Sequence, residues 1–168
     1  LRPNNQKLVG VLAHKSEMAF AGILGSLLSG NGYVPLQPHH PTDRILRSVE
    51  ISQIETMIVG VEGLDCLERL IQRTDRPIRY IIPGAKNHEL KRLKCLGPKH
   101  EFLGSVDTMT YDISVSRPDN SADDVAYVIF TSGSTGVPKD VIVRNRNVVP
   151  FVRYMAQRCN ASYPDRFS

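Results

Sequence analysis

Residues Thr131–Asp140, TSGSTGVPKD, place hydroxyls, glycines, a proline and a lysine directly behind the apolar run Val125–Phe130. Gly133 and Gly136 let backbone N–H groups turn toward an anion with no Cβ in the way. Thr131, Ser132, Ser134 and Thr135 add hydroxyl donors, and Lys139 adds a mobile positive charge. Such a set suits a polyphosphate better than a single carboxylate. A flexible surface turn is the alternative, because glycine and serine are common in turns. The stretch is not a Walker A loop, since no G-x-x-x-x-G-K-[ST] occurs.

A loop of this kind needs a strand to present it, and VAYVIF (Val125–Phe130) reads as one. Further apolar runs at Lys7–Ala13, Thr56–Gly60 and Ile78–Pro83 read as strands, and VIV (Val141–Val143) follows the loop. Ser16 can cap a helix in which Phe20, Ile23, Leu24, Leu27 and Leu28 form one apolar face, expected to point inward. Thr42 starts a second helix with Ile45, Leu46 and Val49 inward, and Leu64, Leu67, Leu70 and Ile71 mark a third. A basic helix near Glu89–Leu96, short strands around Phe102 and Tyr111, and a last helix capped by Asn147 complete the pattern. Continuous apolar strands alternating with helices imply buried parallel strands. The expected fold is α/β, an open, mostly parallel sheet with helices on both faces.

The 168 residues suffice for one domain with a real core. At 41% hydrophobic and 23% charged the chain is not disordered, and its net charge of +4 is modest and scattered. A solvated basic face fits this better than a nucleic-acid site, and no nucleic-acid-binding motif is present. Cys66, Cys95 and Cys159 lie far apart, with neither disulfide nor zinc spacing, which fits a reducing cytosol. Met18–Leu28 is too short to span a bilayer and no secretory leader pattern opens the sequence, so a cytoplasmic location is expected. No catalytic or metal-ligating residue stands out.

The stretch Asp123–Val149 resembles the nucleotide-binding core motif of the adenylate-forming superfamily, which comprises peptide-synthetase adenylation domains, acyl-CoA synthetases and luciferases. A second stretch, LLSGNGYVPLQPHHPTDRI (Leu27–Ile45), resembles an earlier core motif of amino-acid adenylation domains, L-x-A-G-x-x-Y-V-P-L-D-P-x-x-P-x-x-R-I. The fit runs from about Leu8 to YPDRFS at the end, and Ser134–Thr135 with the YVPL element favours the nonribosomal peptide-synthetase branch. The resemblance implies ATP and Mg²⁺, with Thr131, Ser132, Gly133, Ser134, Thr135, Gly136 and Lys139 as phosphate contacts. It also implies a carboxylic-acid substrate, an amino acid in this branch. That acid is joined to AMP with loss of pyrophosphate, and the acyl group then passes to the phosphopantetheine thiol of a carrier protein.

Three positions depart from the family's pattern. Asp140 replaces the glycine that usually closes the loop, Asn145 stands where a histidine is frequent, and Gln37 replaces the aspartate of P-L-D-P. Asp140 would set a carboxylate beside a triphosphate, with a strained backbone if the family's glycine uses positive φ. Tyr33, Pro35, Pro38 and Pro41 read as a rigid connection, and Arg44 as a partner for an acid or a solvated cation. By the resemblance, residues 1–168 are the N-terminal portion of an adenylation domain, without its acid pocket or mobile lysine and inactive alone. A lapsed module serving as a binding or scaffold domain is the alternative. Apolar surface left uncovered would favour self-association.

Overall fold

The computed structural model of the chain describes residues 6–109, 118–131 and 139–160. Seven strands form one sheet: β1 (Leu8–Leu12), β2 (Gly32–Leu36), β3 (Thr56–Val59), β4 (Arg79–Ile81), β5 (Glu101–Leu103), β6 (Val125–Thr131) and β7 (Lys139–Arg144). Their spatial order is β5-β4-β3-β1-β2-β6-β7, parallel throughout except for the antiparallel β6–β7 pair. The helices are α1 (Glu17–Leu28), α2 (Thr42–Ser52), α3 (Leu64–Ile71), α4 (Asn87–Leu96), α5 (Ser105–Met109) and α6 (Asn145–Arg158). The expected α/β fold is present. The strand read near Tyr111 lies outside the described residues.

Connectivity places the helices. The chain steps from β1 to β2 on one side and then crosses back over β1 to β3, and right-handed crossovers put α1 on the opposite face from α2, α3 and α4. The second face carries the main core. Leu12, Val34, Met57, Val59 and Tyr80 from the sheet meet Ile45, Val49, Leu67, Leu70 and Leu93 from the helices, all essentially buried. Burying that many apolar side chains at about 1.5–3 kcal/mol each is the main source of cohesion.

Helix α1 corrects an expectation. Ser16 does cap it, accepting from the Ala19 N–H, but Phe20, Leu24 and Leu28 are more than half exposed. The buried residues of α1 are Gly22 and Ser26. A Cβ on Gly22 would lie 3.2 Å from Ile58 and 3.3 Å from Val11, so the missing side chain is what lets the helix sit this close to the sheet. The Ser26 hydroxyl is satisfied within the helix, donating to the Gly22 carbonyl at 2.7 Å. Small residues meet the sheet and the large apolar stripe faces outward, because periodicity marks a stripe without saying what covers it. The last helix differs as well. Asn147 is not its cap but sits in the first turn, where its side-chain oxygen accepts from the Arg144 N–H.

One buried histidine closes the far end of the sheet. The Ile78 N–H donates to Nδ1 of His100 at 3.1 Å, and Nε2 lies 3.2 Å from the Ile71 carbonyl, which fixes the tautomer with the proton on Nε2. Burial lowers the pKa of His100, the Ile71 hydrogen bond works against that, and Lys99 adds to the lowering. The folded state therefore binds the proton less readily than the unfolded chain. Its stabilisation is complete above the ordinary histidine pKa near 6.5 and is lost as pH falls below it. Urea denaturation should show stability dropping from pH 7.5 to pH 5, with His100→Gln flattening that slope.

Candidate functional site

The loop Ser132–Pro138 lies outside the described residues, so of the seven expected phosphate contacts Thr131 and Lys139 are placed. They face each other across the β6–β7 ladder, and the Thr131 hydroxyl donates to the Lys139 carbonyl at 3.4 Å. Lys139 is thus the first residue of a strand, paired with the last residue of β6. Both are exposed. Ser132, Gly133, Ser134, Thr135 and Gly136 belong to the connection between these two fixed ends.

Asp140 pairs with Phe130, one step inward. Its backbone is not strained, since Gln53 and Asn160 are the non-glycine residues with positive φ among those described. The expectation of a strained backbone is corrected: the position is extended strand, which any residue adopts. Successive strand residues point to opposite faces, so the Asp140 carboxylate and the Lys139 ammonium are directed apart. Asn145 serves a local purpose. Its amide donates to the Ser121 carbonyl at 2.9 Å and its N–H to the Asp124 carbonyl at 3.0 Å, tying the start of α6 to the approach to β6.

The carboxyl ends of parallel strands are where open α/β sheets bind ligands, most often at the point where the connections change direction. Here that point lies between β1 and β3, and the protein fills it with its own side chain. Glu62, in a 3₁₀ turn after β3, accepts from the His14 N–H at 3.0 Å and the Ser16 hydroxyl at 2.9 Å. Burial works to raise the Glu62 pKa, but hydrogen bonds from its own backbone, Ser16 and His14 outweigh it and hold the carboxyl low. Nothing in the sequence singled Glu62 out.

Beside it, three histidines line the ends of β1 and β2. His14 and His39 stack with centroids 5.9 Å apart, and His39 meets His40 edge-on at 4.8 Å. Burial lowers the His40 pKa, with the Arg44 charge and His39 adding to it. Among the described residues no group of three or more His, Cys, Asp or Glu is placed to hold a metal ion. Strands β2 and β6 share a single registered pair, Tyr33 with Tyr127, whose rings lie 5.5 Å apart. Past that pair a small notch of about 40 Å³ opens, lined by Pro35, Gln37, His40, Arg44, Ser48 and Phe130 among others. Arg44, read from the sequence as acid-paired or solvated, is half-buried there and donates to the Phe130 carbonyl at 3.4 Å.

Comparison with known proteins gives this geometry a context. The family model described as "AMP-binding enzyme" matches residues 3–167. Gramicidin S synthase 2 of Brevibacillus brevis is 31% identical over 153 residues, covering 91% of this chain and 3% of that protein. The crystal structure of IdnL7 superposes with a TM-score of 0.70 at 28% identity, over 92% of this chain and 28% of that one. The Vibrio cholerae adenylation domain AlmE, solved with glycyl-adenosine-5'-phosphate, shares the fold with a TM-score of 0.81 at 23% identity. That match covers 96% of this chain and 30% of the AlmE chain. The chain therefore spans a small part of its curated relatives and under a third of these solved structures. No helix among the described residues is long and apolar enough to cross a membrane.

The strand geometry sets a modest role for Asp140. A carboxylate near a bound anion repels it by about 1 kcal/mol at 4 Å in a water-like dielectric, and by less when directed away. Asp140→Asn removes the charge and keeps the shape. It should tighten pyrophosphate binding about threefold at low salt, with the gain fading as salt is added. Calorimetric titration at two ionic strengths measures both.

Proposed function

The chain belongs to the AMP-binding enzyme family, and from that membership we propose that it supplies the polyphosphate-holding part of an acid-activating enzyme. In this reading residues 1–168 form the N-terminal portion of an adenylation domain of the nonribosomal peptide-synthetase type. The enzyme joins a carboxylic acid, an amino acid, to AMP, and later passes the acyl group to the phosphopantetheine thiol of a carrier protein. The observation that carries the proposal is the fixed pair Thr131 and Lys139, held face to face at the carboxyl end of β6. Both residues stand at the carboxyl end of β6, on the edge where α/β sheets receive their ligands.

Thr131, Ser132, Gly133, Ser134, Thr135, Gly136 and Lys139 hold the β- and γ-phosphates of ATP and, as the carboxylate oxygen attacks the α-phosphorus, the departing pyrophosphate. Donors fixed in place before the reaction stabilise developing charge without reorganising. Lys139 fits this task as a point charge at the mouth of the loop. Mg²⁺, which keeps several waters and binds largely through substrate phosphates, would come with the nucleotide and supply further charge neutralisation.

Two properties of the 168-residue chain belong to this reading. Val149, Phe151, Val152 and Tyr154 on α6, with Phe20, Leu24 and Leu28 on α1, leave apolar side chains in solvent, which supports self-association. The setting is cytoplasmic.

The test is an NMR titration of the 168-residue chain with Mg-ATP and with pyrophosphate. Amide signals from Thr131 to Lys139 should move while those of α3 and α4 stay still. A response confined to another surface would sink the assignment. The same chain is expected to give no acid-dependent exchange of pyrophosphate into ATP, since it spans under a third of the solved relatives. Robust exchange measured with purified protein would reverse that expectation.

A further inference from the structure

Proline at position 35 has a consequence in the neighbouring strand, β6. Pro35 lies inside β2, where it carries no N–H to offer a neighbouring strand. On one side β2 keeps its full register with β1, from Leu8↔Gly32 to Leu12↔Leu36. On the other side its register with β6 stops at Tyr33↔Tyr127, so the carboxyl-terminal half of β6 runs on without β2 as a ladder partner. The notch between the two strand ends receives the side chain of Arg44, from the first turn of α2, which donates to the carbonyl of Phe130.

Arg44 is also unbalanced in charge. It is half-buried, and no carboxylate among the described residues lies within ion-pair distance of it. Its neighbour in the sequence, Asp43, pairs with Arg73 at 2.6 Å instead. A guanidinium is always charged, and holding it half-buried without an anion is unfavourable unless something negative compensates it. The carbonyl dipole of Phe130 does so in part, at 3.4 Å, long for a hydrogen bond. The next residue along β6 is Thr131, where the loop begins.

We propose that Arg44 is a positioning residue for the carboxyl end of β6: it holds the Phe130 carbonyl where β2 and β6 share no further registered pair, and it brings a positive charge, without a carboxylate partner among the described residues, next to Thr131. The inference rests on the polyphosphate reading for its second half alone. It joins the two sequence motifs physically, since the arginine of the first secures the strand that carries the second.

Arg44→Ala is tested beside Arg47→Ala, which removes the same charge from an exposed position on the same helix. In the ligand-free protein, Arg44→Ala should shift the Phe130 carbonyl carbon and the Thr131 and Lys139 amides, and leave Val125 at the other end of β6 unmoved. Arg47→Ala should do neither. In a pyrophosphate titration Arg44→Ala should weaken binding about tenfold, the scale of one partly screened unit charge, with Arg47→Ala near wild type. Arg44→Lys should recover most of the affinity without restoring the Phe130 carbon shift, since an ammonium keeps the charge and loses the planar fork. Unchanged β6 signals in Arg44→Ala would overturn the positioning role. Equal weakening by both alanine variants would overturn the charge role. A wild-type chain that does not bind pyrophosphate rejects the polyphosphate reading, and the ligand-free signals still decide whether Arg44 holds β6.

Discussion

A strand inside a sheet must satisfy its backbone donors and acceptors on both sides, and β6 meets that demand piecemeal on the side facing β2. At its amino end the side chain of Gln6 stands in for a strand, accepting from the Val125 N–H at 2.7 Å and donating to the Val125 carbonyl at 2.9 Å. In the middle there is one registered pair, Tyr33 with Tyr127. At the carboxyl end the Arg44 side chain reaches the Phe130 carbonyl. A buried peptide group left unpaired costs about 1–3 kcal/mol, so each side chain replaces a ladder bond that the geometry withholds. These three attachments hold β6 on the β2 side, while the β7 ladder holds it on the other.

The reason for the arrangement lies in β2. Its sequence GYVPL keeps β1 company along its whole length, yet Pro35 cannot contribute a donor toward another strand. Beyond Tyr33 and Tyr127 the two strands share no further registered pair, and there the Arg44 side chain reaches the Phe130 carbonyl. On its other side β6 pairs antiparallel with β7, with a register shift between Val125 and Tyr127 and a regular ladder from Tyr127 to Thr131, which fixes Thr131 opposite Lys139.

The opposite treatment occurs between β1 and β3. There the crevice that open α/β sheets commonly use for ligands is occupied by the Glu62 carboxylate, hydrogen-bonded to Ser16 and to the backbone of His14. That contact also anchors the amino end of α1, where a negative charge is favourable.

The sequence by itself determined most of the strands, the main helices and the α/β class, because an apolar run of strand length and a 3.6-residue period follow from local geometry. It also determined which residue types flank the loop, and two separated motifs pointed to the same family. It missed β2: Tyr33 and Pro35 read as a rigid connection, yet they lie in an inner strand between β1 and β6, because neighbouring strands can accept a proline where its absent N–H is not needed. Only the tertiary structure decided which face of α1 is buried, since Gly22 and Ser26 win the sheet by being small while Phe20, Leu24 and Leu28 carry the stronger periodic signal. Only it put Lys139 in a strand and Asp140 on the face away from it, gave Arg44 the Phe130 carbonyl 86 residues away, and set Glu62 in the crevice. Each of these depends on which strand ends meet across the sheet, a long-range fact that spacing along the chain does not encode.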